Sequence, residues 1–320
     1  MTPPPIAPLP TGIERPFWSV MIPVYNCAGY LREALLSVLS QDPGSREMQI
    51  EVIDNCSDAD DPESVVSEIG GGRVTFYRHP RNVGVIGNFN ECIRRATGEW
   101  VHILHADDTV RVGFYQRLRE GLTAHPEAKA AACRFIHMDE DSHWMAIAEL
   151  ESQRPTLLGD EFFAKLFVKQ RFVSAALAVH RSAYEEIGGF RPELPHCADW
   201  DMWKRIAFHH SIFYEPEPLA CYRIHAKSDM SRLVNTGENV VEQRRSILLS
   251  CAEMPRAKVA PYYRSAMKQA AIYAISHARR LWINGNHQAA WRQLQEGLRC
   301  SMGPAIMARV LFFFARMVVR

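Results

Sequence analysis

From Trp18 onward the chain alternates short apolar runs with segments whose apolar positions recur every three or four residues, as a layered α/β domain requires. Trp18–Val24 reads as a strand stopped by Pro23 and Asn26. The next segment places Leu31, Ala34, Leu35, Val38 and Leu39 on one helical face. Ile50–Ile53 predicts a second strand, running into Asp54-Asn-Cys-Ser-Asp58, and Val74–Tyr77 a third. Phe89, Cys92, Ile93 and Ala96 mark a helix with Gly98 as its stop, and Trp100–Leu104 predicts a fourth strand running into His105-Ala-Asp-Asp108. Ala130–Ile136 and Val173–Val179 read as further strands, Trp200–His209 as a helix and Leu219–Ile224 as an extended segment. From about Asn235 long helical patterns take over, broken at Pro255, Asn284-Gly285-Asn286 and Gly303-Pro304. The expected organisation is a disordered Pro-rich lead-in (1–16), an α/β domain (17–231) and a helical region (232–320).

This order puts acidic loops at the carboxyl ends of the second and fourth strands, where open α/β sheets bind ligands. Acids gathered there can hold a divalent cation, which stabilises negative charge as it develops on a bound ligand. Hard cations such as Mg²⁺ or Mn²⁺ take carboxylate ligands. Asp107 and Asp108 at a strand end suit that task, although an Asp-Asp pair by itself also reads as the start of a turn.

Composition narrows the classes. A chain of 320 residues, 47% hydrophobic, buries a full core, and its net charge of +1 provides no global field for nucleic acid. The eight cysteines are scattered, which favours packed, reduced thiols over a disulfide framework or zinc clip. The lead-in lacks the basic and apolar regions of a signal peptide, and no apolar run approaches the roughly 20 residues of a membrane span. A cytoplasmic location is expected.

The motifs are more specific together than apart. Ser19-Val-Met-Ile-Pro-Val-Tyr-Asn26, Tyr30-Leu31 and Ser37-Val-Leu-Ser-Gln41 open the series, followed by Glu51-Val-Ile-Asp-Asn-Cys-Ser-Asp58. Then come Asn82-Val-Gly84, Asn88-Phe-Asn90, Ala96-Thr-Gly98 and Leu104-His-Ala-Asp-Asp108, and later Gly188-Gly-Phe190 and Asp199-Trp-Asp-Met-Trp-Lys-Arg205. This ordered set resembles the family 2 glycosyltransferases over roughly Trp18 to Ser231. The resemblance implies a GT-A fold with a mixed sheet flanked by helices, a nucleotide-sugar donor and inversion at the anomeric carbon. The change of texture past the matched region makes the helical part an appendage.

Roles follow from the resemblance residue by residue. Pro23, Val24 and Tyr25 match the loop that borders the nucleotide base, and Asp54 the acid that faces it, where a carboxylate accepts from the N3–H of uracil or thymine. Asn82 falls among the donor-binding positions. Asp107 matches the metal-binding acid of the Asp-x-Asp motif, whose first acid is His105 here. Imidazole ligates Mn²⁺ but is a poor Mg²⁺ ligand. His105 therefore stands as a candidate ligand that also suits ribose or a water, and metal use is expected to survive. Asp199 matches the Asp of a Glu-Asp pair whose Glu is Ala198, and is the candidate general base; the bland reading is a helix cap. Asp201, two residues on, faces elsewhere. Tyr222-Arg-Ile-His-Ala-Lys-Ser228 resembles the segment that closes over the donor phosphates, with Arg223 or Lys227 against diphosphate charge and His225 as a further metal ligand.

The expected partners are a nucleotide sugar and a saccharide or lipid-linked saccharide acceptor, the latter chosen by loops 138–156 and 169–172. No Gln-x-x-Arg-Trp segment occurs, so transfer of one or a few sugars is expected, in cell-surface polysaccharide or glycoconjugate biosynthesis. Ala305–Arg320 is strongly apolar, with Arg309, Arg316 and Arg320 along one helix face. Such a helix suits peripheral contact with the inner face of the plasma membrane, or cover for protein. Two rivals remain. A sugar nucleotidyltransferase would need a basic phosphate-gripping loop that Pro23–Asn26 does not supply. A non-catalytic binding protein is hinted at by His105 and Ala198.

Overall fold

A computed structural model describes residues 2–225 and 229–318, with backbone only at 229–232 and 316–318. Strands β1 (Trp18–Val24), β2 (Met48–Asp54), β3 (Thr75–Arg78) and β4 (Trp100–Ile103) lie parallel in the order β3-β2-β1-β4. They are linked by α1 (Ala28–Leu39), α2 (Pro62–Ile69) and α3 (Val85–Arg95). The chain leaves β1 towards β2 and β3, then returns to the other side of β1 as β4. Where strand order reverses in this way, the loops after β1 and β4 diverge and open a crevice.

Beyond β4 the sheet becomes mixed. It contains β5 (Thr109–Val110), β6 (Ala128–Met138), β7 (Trp144–Ile147), β8 (Thr156–Leu158), β9 (Leu177–His180) and β10 (Ser211–Arg223). The order continues β4-β9-β6-β10-β5, with β7 on β6 and β8 on β10. β9 is antiparallel to both its neighbours, whereas β6 and β10 are parallel. Helices α4 (Phe114–Ala124), α5 (Asp160–Val168), α6 (Arg181–Ile187) and α7 (Ala198–His209) punctuate this half, and α8 (Asp229–Thr236), α9 (Glu238–Glu253), α10 (Arg256–Ile283), α11 (His287–Cys300) and α12 (Pro304–Val318) complete the chain. Every residue of β1 is buried, as a central parallel strand covered on both faces must be. The main core joins Val20, Ile22, Leu31, Leu35, Val52 and Leu118.

Several expectations are corrected here. Pro23 does not stop β1: pairing with β4 ends at Met21, so the missing proline N–H falls where only β2 remains alongside. The chain turns instead at Asn26, whose φ is 49°. Helix α2 went unread because it buries only Pro62 and Val66, though Asp61-Pro62 is its cap and first residue. Val173–Val179 is not all strand, since a 3₁₀ turn occupies Ser174–Ala176. The lead-in is not disordered: Ile6 is 3% exposed and the Pro4 carbonyl accepts from Gly189 N at 2.8 Å. Gly98 does not end α3, which stops at Arg95. It lies against β1, where an added Cβ would stand 2.7 Å from both Ser19 N and Trp18 C. Backbone cannot swing aside as a side chain does. Gly98→Ala should therefore cost about 1–3 kcal/mol of stability, visible as a lower melting temperature.

Two compact units divide the chain differently from the expected boundary. One contains residues 1–160 and 172–224, and the other 161–171 and 225–320. The short segment joins the second unit because α5 presents an aromatic face to the C-terminal helices, with Phe167 6.3 Å from Tyr262 on α10. The helices of the second unit break at the three expected places.

Candidate active site

The loops after β1 and β2 are stitched together by one residue. Asn26 Oδ1 accepts from the backbone N–H of Asp58 and Ala59, both at 3.0 Å, while its Nδ2 donates to Asp58 Oδ1 at 2.8 Å. Ser57 Oγ accepts from Asn26 N at 2.9 Å. Among Pro23, Val24 and Tyr25, only Tyr25 presents a side chain, 44% exposed; the other two are strand residues buried in β1.

Asp54 ends β2 as expected but does not face an open cleft. Its carboxylate is fully buried, with Oδ1 accepting from Ser57 N at 3.0 Å and Ser57 Oγ at 2.6 Å, and Oδ2 from Arg78 Nε at 2.5 Å. Both of its oxygens are engaged by donors of this protein, so Asp54 anchors the turn after β2 and ties it to β3. Next to it, Asn55 Oδ1 accepts from Val83 N at 2.9 Å, and Asn55 Nδ2 donates to exposed Asn82 at 3.1 Å. These bonds hold the entry to α3 beside the β2 loop.

After β4 the chain forms an acidic cluster. One ligand atom from each of His105, Asp107 and Asp108 lies within 4.8 Å of the others. His105 stacks on Phe89 with ring centroids 4.8 Å apart, which fixes its orientation. Its Nδ1 lies 4.0 Å from Asp108 Oδ2. Asp108 is 1% exposed; its Oδ1 accepts from Arg223 N at 2.9 Å, whereas among the described residues Oδ2 has no hydrogen-bond partner, and neither does buried His105 Nε2. Burial, and then the neighbouring Asp107, push the Asp108 carboxyl well above its usual range. Burial lowers the His105 pKa, opposed by Asp107. A buried carboxylate oxygen without a donor, beside a second acid and an imidazole, is the environment a divalent cation stabilises. The donor set therefore fits the metal implied by the sequence, and Asp108 joins Asp107 in it. The sequence signal for Asp108 was the Asp-Asp pair itself.

Arg223 is not a free phosphate-binding cation. Its guanidinium is buried, with Nε donating to the Asp107 carbonyl at 2.8 Å, Nη2 to Glu33 Oε2 at 2.7 Å and Nη1 to Ser142 Oγ at 2.8 Å. Nη1 also reaches the carbonyls of Asp139 and Glu140, at 3.3 and 3.2 Å. This side chain ties β10 to the cluster loop, to α1 and to the β6–β7 turn. Arg223→Met leaves several carbonyls unsatisfied and should cost on the order of 3 kcal/mol. Arg223→Lys should recover only part, since one ammonium cannot span these acceptors; denaturant unfolding of the two variants measures both. His225 is the first residue of the second unit after β10, and Lys227 lies outside the described residues.

Asp199 stands in the first turn of α7, partly exposed, with Oδ1 accepting from Trp200 N at 2.7 Å. The cap position belongs to Cys197, so the cap reading of Asp199 does not hold. Asp201 points elsewhere, buried between Arg191 at 3.2 Å and Arg205 at 2.9 Å. Arg78 was missed by sequence reading: nothing local in Thr75-Phe-Tyr-Arg78 announces a partner on the neighbouring strand.

Relatives agree with this architecture. The succinoglycan biosynthesis protein ExoO of Rhizobium meliloti is 33% identical over 112 residues, which is 35% of this chain and 31% of that protein. Staphylococcus aureus TarS, solved with UDP-GlcNAc, superposes with a TM-score of 0.62 at 13% identity, covering 88% of this chain and 91% of that one. The Pyrobaculum calidifontis mannosyltransferase PcManGT, solved with GDP-Man and Mn²⁺, gives 0.61 at 19% identity, covering 100% and 84%. Those likenesses show the GT-A fold. The family model for glycosyl transferase family 2 matches residues 19–188, more than half of the sequence. With a nucleotide-type parallel sheet and an acidic cluster at its switch point, the chain belongs to glycosyl transferase family 2 and is a glycosyltransferase.

Proposed function

We propose that this enzyme moves a sugar, with inversion, from a nucleotide diphospho-sugar to an acceptor hydroxyl in cell-surface polysaccharide or glycoconjugate assembly. The acceptor is a saccharide or lipid-linked saccharide. The observation that carries this reading is the His105–Asp107–Asp108 cluster outside the carboxyl end of β4, where His105 Nε2 and Asp108 Oδ2 are buried with no hydrogen-bond partner among the described residues. A divalent cation, Mn²⁺ or Mg²⁺, held there by Asp107 and Asp108 with His105 alongside, would neutralise charge on the departing diphosphate. Tyr25 borders the base, Asn82 lies at the entry to α3 near the donor, and Asp54 acts at one remove by holding Arg78 and the Ser57 turn. Asp199 takes the proton of the acceptor hydroxyl as the new bond forms. Proton and leaving group depart on opposite sides of the anomeric carbon, as single displacement demands. The ExoO relative supports a polysaccharide setting, and the TarS and PcManGT complexes support a nucleotide-sugar donor.

Thermal unfolding with UDP, dTDP or GDP, each with and without Mn²⁺, tests the reading. One nucleotide at 100-fold excess over its Kd should add about 2.7 kcal/mol, and only with the metal present. No shift with any nucleotide would overturn it.

A further inference from the structure

The second unit carries a surface that nucleotide chemistry does not use. Helix α12 buries Ile306, Val310 and Phe313 at 1, 6 and 4% exposure, the last two in a small core with Ala278, Ala290 and Leu294. An ordinary amphipathic helix would turn polar residues to water on its other side. Here that side carries Leu311 at 67%, Phe312 at 56% and Met307 at 39% exposure. Trp291 on α11, half exposed, has its ring 6.1 Å from Phe314 and widens the patch. Met307, Leu311 and Phe314 follow the i, i+4, i+7 spacing of one stripe, so the apolar surface is continuous along the helix.

Charge says what covers it. The whole chain is +1, yet residues 225–320 hold 15 Lys and Arg against 5 Asp and Glu, leaving the first 224 residues net acidic. Past Glu253 the sequence has 11 basic residues and one acid, Glu296, which pairs with Arg244 at 3.5 Å and with Arg299. Arg292, Arg299 and Arg309 are exposed on α11 and α12 themselves. A second copy of this chain would set one strongly basic region against another, which like-charge repulsion disfavours. An anionic bilayer surface provides hydrocarbon for exposed Leu311 and Met307, and phosphate charge for the basic residues around them. No helix among the described residues is long and apolar enough to cross a membrane, so the contact lies in the interface.

We infer that the α11–α12 face docks the enzyme on anionic lipid headgroups. The docking is independent of the nucleotide site, so each can fail without the other.

The test is co-sedimentation of the full chain with phosphatidylcholine vesicles and with vesicles also containing phosphatidylglycerol, at low and high salt. The expected result is partition onto the anionic vesicles, weakened by salt. The double change Leu311→Ser, Phe312→Ser should abolish it, while leaving the melting temperature and any nucleotide-dependent shift unchanged. Arg292→Gln, Arg299→Gln and Arg309→Gln should each weaken partition about fivefold. Failure of the wild-type chain to bind anionic vesicles, or equal binding to neutral ones, overturns the inference. So does a dimer mass by light scattering that the Leu311/Phe312 variant reduces to a monomer, because a second copy would then cover the face.

Discussion

Asp199→Asn should lower kcat by about 10²–10⁴-fold, the usual worth of a positioned general base, and leave donor affinity unchanged. The substitution is chosen for its economy. Asparagine keeps an oxygen able to accept from Trp200 N, as Asp199 Oδ1 does at 2.7 Å, so the first turn of α7 stays intact. Only the capacity to take a proton is lost. Initial rates and nucleotide-induced stabilisation measured on one preparation separate the two effects. Retained turnover would remove Asp199 from the reaction and point to another group on the acceptor side. Loss of both turnover and nucleotide binding would instead mean that Asp199 supports the donor pocket.

The second large effect is expected at the acidic cluster. Asp107→Ala should abolish the metal-dependent part of nucleotide stabilisation and cut turnover by roughly 10²–10⁴-fold, several kcal/mol of charge stabilisation at about 1.4 kcal/mol per tenfold. Chelation of the wild type should give the same result, and restored Mn²⁺ should reverse chelation but not the substitution. An enzyme that works equally well in chelator would sink the metal reading. The acids would then be ordinary loop residues.

Much of the catalytic half was legible because its signals are local. Strand β1, helix α1 and the run into His105–Asp108 each depend on side chains within a dozen residues, and periodicity reports such short-range order directly. The helix breaks at Pro255, Asn284–Asn286 and Gly303-Pro304 were equally local, since proline and glycine act on their own backbone. The motif residues clustered because the carboxyl ends of parallel strands collect their loops at one edge.

Less legible were the surroundings of residues whose partners lie far along the chain. Arg223 looked like a phosphate ligand, but its guanidinium is committed to Glu33, 190 positions away, and to carbonyls more than 80 positions away. Asp54 looked like a base contact until Arg78 and Ser57 occupied both of its oxygens. Segment 161–171 looked like part of the first domain, although its aromatic face belongs with the C-terminal helices.

The sequence by itself therefore determined the α/β layering, the family and the acidic character of the β2 and β4 loops, because periodicity and contiguous motifs carry that information. Tertiary structure alone decided which polar groups remain available for chemistry. Availability is what is left after hydrogen-bond partners far apart in the chain have been satisfied. In this protein His105 Nε2 and Asp108 Oδ2 stay buried with no hydrogen-bond partner among the described residues, while Asp54 and Arg223 are taken into the scaffold that supports them.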